Sequence, residues 1–341
     1  MTLHVETNSK TPLYRQLVNS IRHSVKSAVL KPGDQLPSMN ELAAREGISR
    51  ETVKKAYAIL SKYGVIIPKQ GKGFYIAEPK SDGMCKVLVI FDKFSVYKQV
   101  IFNAFEETLG KKAEITVLTH NQNLDLLKYY LDTHLDEFDW YVVSPHFPLD
   151  EQTQAKAVKL ISRIPNRKLI MLDRWLDKYP GNYGAVFQDF ENDVYSGLQQ
   201  GLDRLKKASS IKVITLPESL YGSLIKKGID RFSKDYGIPV QYTFSTPDHI
   251  EEGDIFLVLN SQLDWGLAAL ARKAKEQGLE IGKNVFIISY NDFVLNDVVL
   301  GGLTTISTDF ALMGRLAAEM ILKKDLSKLH CEFIMNRRST F

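Results

Sequence analysis

The chain has 341 residues, of which 44% are hydrophobic and 25% are charged. This length predicts two or three folded units at roughly 150 residues each, and the apolar content excludes a disordered chain. Cys85 and Cys331 are the only cysteines, which excludes a disulfide scaffold and predicts reduced thiols in a cytoplasmic protein. No apolar run approaches the roughly 20 residues that cross a bilayer, and the N-terminus lacks a signal-peptide core.

The positive charge is concentrated at one end of the chain. Residues 1–80 hold 13 Lys and Arg against 6 Asp and Glu, whereas the rest of the chain is slightly acidic. This imbalance indicates that a small basic unit contacts nucleic acid and that a larger unit has another task. A solvated charged face is the alternative interpretation of the same pattern.

Residues 1–77 carry the pattern of three helices followed by a β-hairpin. Thr11 is predicted to cap the first helix, with Pro12 in its first turn. Ser38 opens the second helix with the spacing of a capping box, and Gly47 can end it with a positive φ. Ser49 is predicted to cap the third helix, whose apolar residues recur at helical spacing.

Alternating β-rich residues follow the third helix. Residues 65–67 and 74–76 predict a two-stranded ribbon, and its tip at 69–73 is basic and rich in glycine. Residues 78–85 begin with a polar stretch of turn formers. We therefore place a linker at 78–85, one domain at 1–77 and a second at 86–341.

The large domain alternates short β-rich runs with longer amphipathic segments, which predicts an α/β fold with parallel strands in βαβ units. Two sheets that divide near residues 190–210 fit better than one sheet of nine strands. The nine predicted strands are 87–91, 115–118, 140–143, 169–172, 185–187, 212–215, 240–244, 255–259 and 285–289.

Two short helices joined by a tight turn predict a helix-turn-helix, whose second helix fits the major groove of DNA. The first turns of that helix offer Ser49, Arg50, Thr52, Lys54 and Lys55 to bases and phosphates. The ribbon tip, with Lys72, can touch the adjacent groove or backbone. A small helical bundle with a solvated face is the alternative, and the ribbon with its Gly71-Lys72-Gly73 tip favours DNA binding.

These residues resemble the winged helix-turn-helix domain of the gluconate-repressor (GntR) family. The resemblance spans residues 11–77 and rests on Pro12-Leu13-Tyr14, Leu36-Pro37-Ser38, Glu41-Leu42-Ala43, Ser49-Arg50, Thr52-Val53 and Gln70-Gly71-Lys72-Gly73-Phe74. It implies that DNA is contacted by Asn40, Ser49, Arg50, Thr52, Lys54, Gln70 and Gly71. The family usually has Glu-Arg where this chain has Met39-Asn40, so the charge of one expected contact is missing.

The large domain shows none of the patterns that an enzyme of known type would carry. The chain has no GxSxG, no HExxH and no GxGxxG after a strand, so we expect no catalytic residue, cofactor or metal site. His146 follows a predicted strand and can line a cleft, or it can be an ordinary hydrogen-bonded histidine. Asp173, Arg174 and Trp175 offer the acceptors, donors and flat face that a polyhydroxylated ligand uses, or they form a local ion pair beside one buried aromatic ring.

A second resemblance covers residues 86 to about 336 and joins the large domain to the effector domains of the lactose/galactose-repressor family, which are similar to periplasmic sugar-binding proteins. It rests on Val258-Leu259-Asn260-Ser261, 285–292, Leu303-Thr304-Thr305-Ile306, Leu172-Asp173-Arg174 and Phe187-Gln188-Asp189. The resemblance implies a two-lobed periplasmic-binding-protein-like α/β sensor domain with ligand in the cleft. The implied ligand residues are Asp92, Asp173, Arg174, Asp189, Ser223, Asn260 and Asn291, with Asp292 alongside.

Three of these positions depart from that family. Ser223 stands in place of the usual cleft arginine, Ser261 in place of an aspartate, and Asn291 in place of another acid. The expected pocket is therefore less charged than usual, which favours a neutral sugar over a sugar phosphate.

Together the two resemblances imply a dimeric transcriptional regulator of carbohydrate utilisation, a repressor whose operator affinity changes when a small sugar binds. Chimeric sugar regulators of arabinose-repressor type make L-arabinose and L-fucose the first ligands to try. The expected partners are an operator in double-stranded DNA, the sugar and a second copy of the chain, with no membrane. The alternatives are a winged helix fused to an aminotransferase-like domain, for which the chain is too short, and a sugar-processing α/β enzyme with a basic appendage.

Overall fold

A computed structural model describes residues 11–77, 84–215, 219–259 and 265–341. The chain divides into two compact units, Met1–Gly83 and Met84–Phe341. Most of the predicted linker, residues 78–83, lies outside the described residues. Among the helices that the structure describes, none is long and apolar enough to cross a membrane.

The first unit contains three helices and an antiparallel two-stranded ribbon. Their bounds are α1 (Leu13–Lys26), α2 (Met39–Glu46), α3 (Arg50–Lys62), β1 (Ile66–Lys69) and β2 (Gly73–Ile76). The helices meet around Leu17, Ile21, Leu42 and Tyr57, whose side chains are fully buried. Because burying one such side chain is worth about 1.5–3 kcal/mol, this core holds the small unit together.

Three predicted helix ends in the first unit are confirmed, and one is wrong. Ser38 forms the capping box, Gly47 ends α2 with a φ of 64°, and the Ser49 side chain accepts an N–H of the first turn of α3. Thr11 does not cap α1, because Pro12 occupies the N-cap position without a side-chain cap bond. Proline has no N–H of its own to satisfy, and its fixed φ leads directly into a helix.

The second unit is built from twelve described strands and eight helices. The strands are β3 (Cys85–Phe91), β4 (Ala113–Thr119), β5 (Trp140–Val143), β6 (Leu169–Asp173), β7 (Gly184–Phe187), β8 (Ile211–Ile214), β9 (Val240–Thr243), β10 (Ile255–Val258), β11 (Phe286–Tyr290), β12 (Thr304–Thr308), β13 (Lys328–His330) and β14 (Phe333–Asn336). The helices are α4 (Val96–Leu109), α5 (Leu124–His134), α6 (Glu151–Ile161), α7 (Phe190–Gln199), α8 (Leu202–Leu205), α9 (Gly222–Tyr236), α10 (Trp265–Glu276) and α11 (Phe310–Lys323), with short 3₁₀ turns at 110–112, 166–168, 294–297 and 299–301.

These strands form two six-stranded sheets, with orders β13-β7-β6-β5-β3-β4 and β14-β12-β11-β10-β8-β9. Every pair is parallel except β12 with β14. The central strands β5, β6 and β10 are buried along their whole length, as expected for parallel strands covered by helices on both faces. The predicted two-sheet α/β architecture is confirmed.

The nine predicted strands are confirmed, each within two residues at either end, but β12, β13 and β14 are not predicted. We call residues 84–187 and 310–330 lobe 1, and residues 190–308 and 333–341 lobe 2. The chain crosses between the lobes three times, at residues 188–189, 309 and 331–332. The division is therefore not one cut near 190–210, because the last two strands return to both sheets.

Candidate functional site

The outer face of α3 carries the residues predicted to read DNA. Arg50 and Lys54 are exposed one helical turn apart, opposite the buried Val53 and Tyr57. Arg50 forms no ion pair within the described part of the chain, and Lys54 lies 3.5 Å from the exposed Glu51. Two cations are therefore presented together on the exposed face of one helix.

The remaining predicted residues of α3 have partners inside the first unit. The hydroxyls of Ser49 and Thr52 lie 2.8 Å apart, and Ser49 also accepts the Thr52 N–H at 3.1 Å. The ammonium of Lys55 lies 4.0 Å from the ring centre of Tyr14, so this cation is held against α1. The structure therefore gives Ser49 a capping role and Lys55 a packing role, and their DNA contacts stay predictions.

The ribbon tip is the second part of this surface. Gln70, Gly71 and Lys72 are exposed, and Gly71 has a φ of 72°, a conformation that glycine adopts without strain. Asn40 is exposed at the start of α2. The Gln35 side chain donates to the Lys72 carbonyl at 2.8 Å and so anchors the tip, a role that no sequence motif indicates.

In the second unit, a cavity of about 450 Å³ lies at the carboxyl ends of strands from both sheets. Asp92, His146, Asp173 and Asn291, four of the predicted ligand residues, line it. Each stands at the end of a strand or within three residues after it, where ligands bind in open α/β sheets. Asp173 and Asn291 have φ values of 71° and 69°, in the left-handed region that Asp and Asn tolerate better than other non-glycine residues.

Lys98 of α4 lines this cavity and is not predicted from the sequence. Its side chain is buried, its ammonium lies 3.2 Å from Asp92 Oδ1, and it donates to Asp173 Oδ2 in a short contact. The available signal is its spacing, because Lys98, Ile101 and Phe105 recur at i, i+3 and i+7 and all are buried. A lysine in an apolar stripe needs a buried partner, and here it has two.

The ion pair is the centre of a hydrogen-bonded network. His146 Nε2 lies 3.0 Å from Asp173 Oδ2, and the Gln188 amide donates to the other oxygen of Asp173. Burial favours the neutral forms, but Lys98 and His146 outweigh it and hold the pKa of Asp173 well below its usual range. Burial likewise opposes the charge on Lys98, but Asp173 and Asp92 raise its pKa overall. The pair is therefore ionised at neutral pH.

Other polar atoms of the cavity lack a partner. Tyr290 Oη and Asn291 Oδ1 are buried and form no hydrogen bond among the described residues. Burial raises the pKa of Tyr290 well above its ordinary value, so its hydroxyl stays protonated and can donate. An unsatisfied buried donor or acceptor costs about 1–3 kcal/mol, which a hydroxylated ligand would recover.

Two predicted ligand residues sit beside the cavity or point away from it, and one is not described. Arg174 donates to Gln154 at 3.3 Å and lies over the Tyr221 ring, while its buried Nη1 has no hydrogen-bond partner among the described residues. Ser223 is exposed in the first turn of α9, so Tyr221 rather than Ser223 lines the cavity. Asn260 lies outside the described residues.

Two predicted acids have structural partners instead. Asp189 caps α7 by accepting the Asn192 N–H at 3.2 Å. Asp292 lines a second cavity, of about 400 Å³, and both its oxygens accept from the Arg338 guanidinium at 3.0 and 3.1 Å. These carboxylates are already satisfied, so the geometry does not support their predicted ligand roles. No metal-binding cluster of His, Cys, Asp and Glu occurs among the described residues.

Comparison with known proteins identifies both units. A model of bacterial regulatory proteins of the gntR family matches residues 13–76, and one of the periplasmic binding protein-like domain matches residues 257–328. The HTH-type transcriptional repressor YtrA of Bacillus subtilis (strain 168) is 37% identical over 76 residues, which are 22% of this chain and 58% of that protein. The chain spans about half the length of the curated relatives it matches.

Solved structures resemble the chain as well. The Lac repressor bound to ONPG in the repressed state superposes with a TM-score of 0.59 and 18% identity, covering 91% of this chain and 100% of that chain. A periplasmic binding protein/LacI transcriptional regulator from Alkaliphilus metalliredigens QYMF, complexed with D-xylulofuranose, gives a TM-score of 0.53 and 16% identity, covering 75% and 98%. At these identities the likeness concerns the fold.

The fold and the matches define the class: a helix-turn-helix unit joined to a two-lobed periplasmic-binding-protein-like α/β unit. The first unit is a winged helix-turn-helix domain of gntR type, and the second has the fold of lactose-repressor-like regulators. Both expected resemblances are confirmed.

Proposed function

We propose that this protein is a transcriptional regulator whose winged helix binds operator DNA and whose cleft binds a small neutral sugar that alters that binding. The single observation that carries the proposal is the cavity at the strand ends of a lactose-repressor-like fold, in a chain that also carries a gntR-type reader. Curated relatives of the reader are named transcriptional repressors, which supports regulation over catalysis.

The DNA contact is assigned to α3 and the ribbon tip. Arg50 and Lys54 offer two cations on the exposed face of α3, and Lys72 offers a third at the tip. Helix side chains read base edges in the major groove, whereas a basic tip neutralises phosphates. We assign sequence reading to Arg50 and backbone contact to Lys72.

The charges of the cavity favour a neutral polyhydroxylated ligand. Two carboxylates, Asp92 and Asp173, share the single buried ammonium of Lys98, and the other lining cation, Lys93, is exposed. A phosphate group inside the cavity would therefore find no unengaged buried cation among the described lining residues. Hydroxyls can donate to the carboxylates and bond Tyr290 Oη and Asn291 Oδ1, which have no hydrogen-bond partner among the described residues. The Alkaliphilus regulator, which is complexed with a sugar, supports the same class of ligand.

We further propose that the protein is a homodimer and that the dimer forms through lobe 2. Val294, Leu295 and Val298 are 80%, 46% and 72% exposed within five residues, an apolar patch that a second copy would cover. A two-fold dimer places two readers on two half-sites of a near-palindromic operator. We propose that the protein acts in the cytoplasm, where operator DNA is found and thiols such as Cys85 and Cys331 stay reduced.

Ligand would act through the cleft. Closing the two lobes on a sugar changes the spacing of the readers, and operator affinity changes by the difference in ligand affinity of the two states. We propose that the sugar releases DNA, so that the protein represses genes of carbohydrate use until the sugar is present.

Two measurements on the full chain test this function. Selection from a randomised duplex library should yield a near-palindromic site, and Arg50→Ala should lose it. A thermal-shift screen against L-arabinose, L-fucose, other pentoses and hexoses, and their phosphates should show stabilisation by a neutral sugar that remains unconsumed. No selected duplex, or consumption of the stabilising sugar, would overturn the proposal.

A further inference from the structure

A side-chain hydrogen bond between Tyr221 and His146 spans the cleft away from the three crossovers. Tyr221 precedes α9 in lobe 2, and its hydroxyl lies 2.6 Å from Nδ1 of His146 in lobe 1. The Tyr221 ring stacks on Phe190 of lobe 2 at 4.0 Å between ring centres, and the Arg174 guanidinium of lobe 1 lies 5.4 Å from its centre. The phenol is therefore held by both lobes at once.

The direction of this bond follows from the network behind it. The ionised Asp173 only accepts hydrogen bonds, so the Nε2 of His146, 3.0 Å away, carries the ring proton. In the neutral imidazole, His146 Nδ1 is then the acceptor, and the Tyr221 hydroxyl donates to it. Lys98, 3.3 Å from Nε2, donates to Asp173 instead. The hydrogen bond from lobe 2 therefore ends on His146, whose other ring nitrogen contacts Asp173 of the buried ion pair in lobe 1.

Two other side-chain contacts between described residues lie at the crossovers. Thr308 donates to Gln188 at 3.0 Å, and His330 lies 2.6 Å from Asp193, each beside a segment where the chain passes between lobes. Such bonds move little when the lobes rotate about the crossovers. The bond between Tyr221 and His146 lies in the cleft itself, so opening the cleft breaks it.

We propose that Tyr221 is a positioning residue that latches the cleft and sets the fraction of closed protein before any ligand arrives. The cavity of about 450 Å³ persists with the latch in place, so a ligand can occupy it without displacing Tyr221. A larger closed fraction raises the apparent affinity of any ligand that binds only the closed conformation. The effect on ligand affinity rests on the proposed function, whereas the effect of Tyr221 on the closed fraction does not.

The test compares two tyrosine variants of the ligand-free full chain. Tyr221→Phe removes the hydroxyl and keeps the ring, and the control Tyr195→Phe removes a hydroxyl whose 3.0 Å bond to Asp235 lies within lobe 2. We expect a larger radius of gyration in solution scattering for Tyr221→Phe only. Amide exchange at residues 144, 146 and 147 and at residues 222–225 should be about fivefold faster, the ratio expected for one hydrogen bond.

Equal scattering and exchange in the two variants would overturn the latch. If Tyr221→Phe does not fold, His146→Gln breaks the same contact from lobe 1 and should open the cleft to the same degree. Where both variants fold, the double variant should show no further opening, because the two changes remove the same interaction. Additive opening in the double variant would contradict the proposed latch. None of these measurements uses DNA or sugar, so failure of the latch is distinguishable from failure of the proposed function.

Discussion

The side chain of Gln35 donates a hydrogen bond to the Lys72 carbonyl at 2.8 Å, although the two residues are 37 positions apart. Gln35 also forms an isolated antiparallel bridge with Tyr75 of β2, so the segment before α2 supports the ribbon. The contact fixes the backbone beneath Lys72, which stays exposed. Gln35 therefore positions the tip without itself supplying charge.

Replacing Gln35 with Ala should weaken binding to every duplex by about 1 kcal/mol, the net worth of one hydrogen bond. The dependence of log affinity on log salt should keep its slope, because no cation is lost. Lys72→Ala should weaken all duplexes and reduce that slope by about 1. Anisotropy titrations over a series of salt concentrations separate the two; a reduced slope for Gln35→Ala would mean that Gln35 contacts the DNA.

Arg50→Ala should cost on the order of 1–3 kcal/mol in operator binding and blur discrimination at one base position. The physical reason is the loss of a fork of donors that can pair with guanine in the major groove. Arg45→Ala is the matched control, because Arg45 pairs with Glu46 at the end of α2. Competition titrations with single-base operator variants measure both effects. Equal losses for the two variants would place the reading surface elsewhere.

Local sequence signals predicted the parts of the fold that depend on nearby residues. The capping box at Ser38 and the strand at β5 follow from spacing and β propensity alone. By contrast, β12 reads TTIST, a polar sequence, yet it is fully buried because its hydroxyls find partners: Thr304 accepts the Arg338 N–H at 2.8 Å. Such partners are distant in sequence, so no local pattern reveals them.

The candidate site also contains residues that local sequence predicts and residues whose roles depend on distant partners. Asp92, His146 and Asp173 could be predicted because polar residues that follow strands collect at one edge of a parallel sheet. The spacing of Lys98 indicates that it is buried, but its partners could not be predicted, because β3 and β6 bring the two carboxylates to it from distant parts of the sequence. Ser223 does not line the cavity, because α9 begins so that Tyr221, two positions earlier, lines it and Ser223 faces solvent.

Lys98→Met should destabilise the second unit by on the order of 3–5 kcal/mol, because it leaves two buried carboxylates without their cation. Lys128→Met is the control: its 2.7 Å pair with Asp132 is exposed, so its loss should cost about 0.5 kcal/mol or less. Trp140, Trp175 and Trp265 all belong to the second unit, so tryptophan fluorescence during urea unfolding reports on this unit. Equal costs for the two variants would show that the ion pair does not stabilise the fold.

Asp173→Asn should reveal how the buried carboxylate links stability to pH. The pKa of Asp173 in the folded protein is held well below its ordinary value. The ionised carboxylate therefore stabilises the folded state at pH values above the ordinary pKa, and this stability is lost as the pH falls from there towards the folded-state pKa. We expect the wild type to exceed the variant in free energy of unfolding at pH 7. The difference should shrink as the pH falls below about 5. Urea unfolding at pH 7, 5 and 3.5 measures the difference, and a gap that is constant with pH would contradict the assignment.

Val298→Asp should dissociate the proposed dimer, because it places a charge in the apolar patch formed with Val294 and Leu295. Phe244→Asp is the matched control, since Phe244 is also exposed in lobe 2 but lies in another segment. Sedimentation velocity should give monomers for Val298→Asp and dimers for the control. Operator affinity should fall only in the first variant, because one copy then contacts a single half-site and the second contact no longer benefits from being linked. A dimeric Val298→Asp protein would place the dimer contact on another surface.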